Sequence, residues 1–296
     1  MWILTDSMGM VLRMDIKAIN RLLLIKQTLF GLTWLGSSAL LPYLQSNRPA
    51  FCLRSWLLLL VAFLTARFSG MCFNNLFDRS FDAQNPRTKD RPLPSGAISP
   101  LVCGIQAVFF LAVFLFASWS INPLCGLLSL AVGVAVVLYS LTKRITSLCH
   151  FVLATIYFFA PFSAWAAVTG EISPMPFLFS LALFLTISGS DIIYSCQDMD
   201  FDRKIGLFSV PAMLGQTKAL VLAGVLHAIA VGALLLEGYI MDSLFLTAAA
   251  CVIGCVSAFC YFKLALGQIS YMAAFTRINM LSGMILFVFI LADLLF

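Results

Sequence analysis

The stretch SWLLLLVAFLTARFSGMCFNNLFDRSFD, residues 55–82, decides the fold. From Ser55 to Phe73 it carries a single charge, Arg67, and about 20 apolar residues are what a helix needs to cross roughly 30 Å of hydrocarbon. Asn74, Asp78 and Asp82 then follow at four-residue steps. On a helix of about 3.6 residues per turn, such steps keep three side chains within roughly 80° of one another. A membrane-spanning helix therefore ends in three oxygen ligands on one face.

The rest of the chain has the same character. Of 296 residues, 61% are hydrophobic and only 10% charged, and the mean hydropathy is +1.00; no single water-soluble core could hide that much apolar surface. Nine stretches are long enough to span a bilayer, near 22–44, 55–77, 101–120, 124–141, 148–168, 174–197, 217–236, 243–266 and 273–296. The expected fold is an all-α membrane protein, one multi-pass domain over residues 1–296. Residues 1–21, with Asp6, Arg13, Asp15 and Lys17 and no long apolar run, read as a cytoplasmic arm rather than a cleaved signal peptide.

Basic residues set the orientation. Arg79, Arg87, Lys89 and Arg91 follow the second stretch, Lys143 and Arg144 the fourth, and Arg203, Lys204 and Lys218 the sixth, on the same side as Arg13, Lys17, Arg21 and Lys26. The other side has only Arg48 and Arg54. The N-terminus and the long loops are thus expected in the cytoplasm, in a cell inner membrane. The net charge of +5 is mostly this asymmetry and gives no sign of a nucleic-acid partner; no obligate protein partner is expected. The nine cysteines are scattered singly, with no CxxC pair, and read as small hydrophobes packed between helices.

The sixth stretch ends like the second, with Asp191, Tyr194, Gln197, Asp198 and Asp202. On a continuing helix, steps of seven and four keep Asp191, Asp198 and Asp202 on one side and send Asp200 elsewhere. The chain has eleven Asp and two Glu, and six of those Asp fall in the two windows, so chance clustering explains them poorly. Carboxylates this close repel, and more strongly near an apolar interior than in water. A cation must lie between them. Asp and Asn oxygens without nearby Cys or His favour a hard divalent ion, and Mg²⁺ shares its coordination readily with phosphate oxygens, so a diphosphate substrate would meet the need. The plainer alternative is two polar helix ends paired with Arg79, Arg203 and Lys204.

Arg67 is costly inside an apolar helix, about 2.5–3.5 kcal/mol if unpaired. It either bridges an acid such as Asp191 or binds an anionic group of a substrate. Tyr139, Lys143 and Arg144 close the fourth stretch on the acidic side, and Arg87, Lys89 and Arg91 lie in the loop after the second; they are topology signals facing water, or they neutralise a departing diphosphate. His150 and His227 read as packed, hydrogen-bonded residues.

On these residues the chain resembles the UbiA superfamily of intramembrane prenyltransferases, over nearly its whole length. The resemblance rests on the NxxxDxxxD segment at Asn74, Asp78 and Asp82 with the residues through Thr88, on the DxxYxxQDxxxDxxxG segment from Asp191 to Gly206, and on Tyr139 through Arg144. It implies nine helices around a central cavity open sideways to lipid, capped by the loops after the second and sixth. It implies two Mg²⁺ ions, one held by Asn74, Asp78 and Asp82 and the other by Asp198 and Asp202. Asp191 would lie at the cavity wall and is one possible acceptor of the ring proton. Arg67, Asn74, Arg87, Arg91, Lys143, Arg144, Tyr194 and Arg203 become candidate substrate contacts. Asp191, Arg67, Lys143, Arg144 and Tyr139 become candidate catalytic residues.

The resemblance is greatest to the 4-hydroxybenzoate polyprenyltransferase group, including a subgroup of the futalosine route to menaquinone. It implies transfer of a polyprenyl group from its diphosphate to 4-hydroxybenzoate or 1,4-dihydroxy-6-naphthoate, in ubiquinone or menaquinone biosynthesis. A transporter of divalent cations or anions would also put carboxylates in membrane helices, but it needs polar residues on both halves of the membrane. An intramembrane aspartyl protease needs only one proton-sharing pair.

Overall fold

The computed structural model describes residues 16–45, 49–50 and 52–296 and is helical throughout the described residues, with no strand among them. A short amphipathic helix, α1 (Ile16–Leu23), precedes α2 (Ile25–Leu40). Then come α3 (Leu53–Asp82), α4 (Pro100–Ile121), α5 (Pro123–Thr142), α6 (Cys149–Thr169) and α7 (Phe177–Ser195). Two short helices, α8 (Met199–Ile205) and α9 (Val210–Leu214), lead to α10 (Gln216–Ile240), α11 (Leu244–Ala265) and α12 (Tyr271–Leu295).

Eight spans among the described residues are long and apolar enough to cross a membrane, which accounts for the second to ninth expected stretches. The first, at 22–44, is built differently. Leu24 adopts a left-handed conformation that separates α1 from α2, and Pro42 sits in a single 3₁₀ turn, Leu41–Leu44, that finishes the segment. Of the expected N-terminal arm, residues 1–15 lie outside the described residues. Residues 16–21 belong to α1, whose Ala18, Leu22 and Leu23 are buried against Cys72, Leu93, Ile98 and Cys103 while Arg21 is exposed.

Helix starts follow from their caps. Ser99, Asn122, Ser209, Ser243 and Ser270 each accept a hydrogen bond from the backbone N–H three residues on, the usual remedy for the unpaired donors of a first turn. Pro100 and Pro123 occupy the following position, where a missing N–H costs nothing.

Consecutive long helices pack side by side from α3 round to α12, and α2 packs against α12 and α6. The largest core joins α2, α7, α10, α11 and α12 around Phe179, Leu183, Ile192, Leu246 and Leu286. On the α3–α6 side a cavity opens between the helices, lined by Phe63, Phe114, Val132, Val136 and Ile156 among others. Close helix approach requires glycine at one point in particular: a Cβ on Gly189 would stand 2.8 Å from the His227 ring and 3.0 Å from the Ala223 carbonyl oxygen.

Gly189→Ala is therefore expected to destabilise the α7–α10 contact by about 1–3 kcal/mol, read as a lower thermal unfolding midpoint in detergent. An unchanged midpoint would mean that the contact yields freely.

Candidate functional site

With 30 residues, α3 is about 45 Å long at 1.5 Å per residue, more than the hydrocarbon requires. The surplus carries Asn74, Asp78 and Asp82 out of the apolar layer in one rigid piece. Asp78 and Asp82 are nonetheless buried, at 2% and 6% exposure, because the connections fold over them. Asp78 Oδ2 takes Lys143 Nζ at 2.7 Å and Asn74 Nδ2 at 3.0 Å. Asp82 Oδ2 takes Arg91 Nη1 at 2.8 Å.

The second acidic segment is not the continuous helix that the spacing suggests. After Ser195 the chain tightens into a 3₁₀ turn, Cys196–Asp198, and restarts as α8, which Gly206 ends in the left-handed conformation. Asp191 and the two later acids take different partners. Asp198 is clasped by Arg87, with Nε 2.8 Å from Oδ1 and Nη2 2.5 Å from Oδ2, and Asn85 Nδ2 adds a bond of 2.9 Å. The same guanidinium donates to the Tyr194 hydroxyl at 2.9 Å and lies over its ring. Burial works against the charge of Arg87, yet Asp198 and Tyr194 outweigh it and hold its pKa above the ordinary arginine value. Asp202 accepts from Ser209 Oγ at 3.1 Å, and the neighbouring Phe208 N–H donates to the Lys143 carbonyl at 2.8 Å. Lys143 thus links the two acidic banks, through its ammonium to Asp78 and through its carbonyl to the segment that holds Asp202. Asp200 is exposed, as its position in the helical repeat suggests.

Other candidates sit elsewhere. Arg67 does not bridge Asp191: its Nη1 donates to the Tyr157 hydroxyl at 2.9 Å, and it lines the cavity with Tyr139 and Tyr157. Tyr139 donates to the Gly70 carbonyl at 3.3 Å. Arg144 caps the Phe77 carbonyl and covers the Phe81 ring, so it braces the end of α3. Arg203 bonds the carbonyls of Ala212 and Pro211 and so holds the loop around α9, away from Asp198. Asp191 instead meets His150, 2.7 Å from Nδ1 to Oδ2. Sequence reasoning left His150 out of the site. Asn85 was also missed; its only signal was its place in the segment between Asp82 and Thr88.

Among the described residues no three His, Cys, Asp or Glu side chains are grouped closely enough to hold an ion as they stand, because each bank is closed by a basic residue. The donor set still suits a hard cation. All its atoms are oxygens, and Asp78 Oδ1 is buried with no hydrogen-bond partner among the described residues, an unusual expense for a carboxylate unless something cationic reaches it.

The UbiA prenyltransferase family model matches residues 31–291. A 4-hydroxybenzoate octaprenyltransferase of Tolumonas auensis is 33% identical over 71% of this chain and 70% of its own length. An apo structure of a UbiA homolog from Aeropyrum pernix K1 superposes with a TM-score of 0.82 at 29% identity, covering 91% of this chain and 98% of that one. A UbiA homolog from Archaeoglobus fulgidus bound to GPP and Mg²⁺ shares the fold, with a TM-score of 0.70 at 19% identity over 94% of this chain and all of that one.

The Arg87 clasp joins the α3–α4 loop to the α7–α8 junction, so Arg87→Gln should loosen that loop. Trypsin is expected to cut after Lys89 several-fold faster in the variant, and Asp198→Asn should do the same. Equal cleavage rates would show that the clasp does not hold the loop.

Proposed function

The chain belongs to the UbiA prenyltransferase family, and on that premise we propose that it transfers a polyprenyl group from a polyprenyl diphosphate to the ring of an aromatic hydroxy acid. The observation that carries the reading is the pair of acidic banks, Asn74–Asp78–Asp82 and Asp198–Asp202, interleaved with Lys143, Arg87 and Arg91, with Asn74 and Lys143 one helical turn beyond Gly70 and Tyr139, which line a mostly apolar cavity. 4-Hydroxybenzoate is the first acceptor, as the name of the Tolumonas relative suggests; 1,4-dihydroxy-6-naphthoate carries the same carboxylate and phenolic hydroxyl and stays the second. The product then belongs to ubiquinone or menaquinone biosynthesis respectively.

Mg²⁺, two ions in this reading, would be held by Asn74, Asp78 and Asp82 and by Asp198 and Asp202, and when bound it supplies positive charge to the diphosphate oxygens as the C–O bond breaks. Lys143, Arg87 and Arg91 are the groups within reach to share that charge, exchanging a carboxylate partner for a phosphate one. About seven residues deeper on α3, roughly 10 Å by helix rise, Arg67 faces the cavity beside Tyr157. There it suits the carboxylate of the acceptor. The apolar walls shelter an allylic cation from water, and the ring attacks it before losing a proton. A long tail extends into the bilayer.

The whole chain forms one domain in this reading, spanning a cell inner membrane with the acidic banks and the N-terminus on the cytoplasmic side. Membrane-impermeant labelling of a cysteine introduced into the α3–α4 loop should occur only in inside-out vesicles. Labelling of right-side-out vesicles would invert the orientation.

Purified protein in liposomes, given a polyprenyl diphosphate, 4-hydroxybenzoate and Mg²⁺, should form prenylated acid, and EDTA should stop it. Asp78→Ala and Asp198→Ala are each expected to lower turnover at least 100-fold with the protein still in the membrane; near-normal rates would remove the metal assignment. Arg67→Leu should raise KM for the acceptor at least tenfold and leave that for the diphosphate within about threefold. Mg²⁺ flux in vesicles without any prenylated product would favour the transporter reading.

A further inference from the structure

His150 opens α6 and is only 2% exposed. Its two ring nitrogens face partners of opposite kind: Nε2 lies 3.2 Å from the backbone nitrogen of Val210, and Nδ1 lies 2.7 Å from Asp191 Oδ2. A backbone N–H can only donate, so Nε2 must offer its lone pair. The neutral ring then carries its proton on Nδ1 and gives that hydrogen bond to Asp191. Asp191 is a quarter exposed, at 27%, and stands one helical turn before Tyr194. Oδ1 makes no hydrogen bond among the described residues.

Val210 belongs to a run of three residues that dock one after another. The Phe208 N–H donates to the Lys143 carbonyl at 2.8 Å, Ser209 Oγ donates to Asp202, and the Val210 N–H donates to His150. One short segment therefore touches the lysine that links the banks, an acid of the second bank, and the histidine behind Asp191.

We propose that His150 is a positioning residue for Asp191: it turns the carboxylate so that Oδ1 faces the substrate, and it does so when the Phe208–Val210 segment is seated. The proposal rests on the prenyl-transfer reading above. Once the new carbon–carbon bond has formed, the C–H bond at the substituted ring carbon breaks. Its electron pair restores the aromatic ring, and the proton passes to Asp191 Oδ1. His150 exchanges no proton; its Nδ1–H holds Oδ2 throughout. The coupling makes proton removal wait for the segment that also orders Asp202.

Two measurements decide it. The chain has two histidines, so ¹⁵N-histidine spectra are simple, and the signals absent in His150→Asn identify those of His150. The wild-type protein should show a protonated Nδ1 and a bare Nε2. Val210→Pro deletes the donor N–H at a helix-start position where proline is tolerated, and in this variant the fixed tautomer should be lost. A wild-type ring protonated at Nε2 overturns the proposal without reference to activity.

In turnover assays, His150→Phe should lower kcat roughly 10–100-fold with KM for both substrates within about threefold. In an Asp191→Asn background it should cost nothing further. His150→Asn, which keeps an N–H near the Nδ1 position, should recover most of the loss. Equal losses of kcat in both backgrounds, or a rise in KM at unchanged kcat, would overturn the proposal and leave His150 a packing residue. A wild-type protein that prenylates no acceptor would sink the functional reading instead, and the nitrogen spectrum would still decide the tautomer.

Discussion

Lys143 and Asp78 meet at 2.7 Å with the carboxylate almost wholly buried, and the architecture around the acidic banks answers to the constraint this pair expresses. Carboxylates at the edge of a low-dielectric layer cannot be ionised together without compensating positive charge. The helices that bear the acids offer little of it on the right face, so it comes from connections: Lys143 from the end of α5, Arg87 and Arg91 from the α3–α4 loop. Loops that would otherwise be free are thereby tied down. Asn85 and Thr88 reinforce the first of them through Asp198 and the Asp82 carbonyl, and Phe208–Val210 reinforces the second through Lys143, Asp202 and His150.

Such pairs are worth less as stabilisers than their geometry suggests. Desolvation offsets most of the Coulombic gain, whereas removing one partner leaves a stranded charge costing about 3–5 kcal/mol. A site made this way resists losing a charge and tolerates exchanging one. In the proposed reaction a diphosphate and a divalent cation entering together would be a neutralising exchange of that type: the acids would acquire one cation in place of another, and the freed Lys or Arg a phosphate oxygen. Asp78 Oδ1, without a hydrogen-bond partner among the described residues, is the atom at which that exchange would cost least.

The apolar runs, the four-residue steps and the basic asymmetry made the spans and both banks legible in the sequence, because each obeys a local period or a composition rule. What remained hidden required contacts between distant segments. Asp191 and Asp198 are seven residues apart and would share a face on an unbroken helix; a 3₁₀ turn at Cys196–Asp198 interrupts it, no residue type there announces the turn, and the two acids take different partners, His150 and Arg87. Arg67 was legible as a charge needing a partner, but the partner is Tyr157, 90 residues on. His150 is a lone histidine in an apolar run and gains meaning only when Asp191 and Val210 arrive from other helices. Arg203, a basic residue beside an acidic motif, turned out to serve backbone carbonyls of its own loop.

These contacts arrange polar groups at two depths. Toward the ends of α3 and α5, acids and bases alternate around Asp78, Asp198 and Asp202; farther back along α3 and α5, Arg67, Tyr139 and Tyr157 line a mostly apolar cavity. An amphiphile with an anionic head and a hydrocarbon tail fits only one way into such a gradient, head outward. In the proposed reaction an aromatic acid whose carboxylate pairs with Arg67 would lie beneath the diphosphate, with its ring between the two. Asp191 and His150 lie on α7 and α6, and α6 also lines the cavity through Leu153, Ile156 and Tyr157. In that reading the separation of the two anionic groups would keep their charges apart and set the ring carbon against the carbon that the diphosphate leaves, which gives the depth of Arg67 below Asp78 a part in the proposed chemistry.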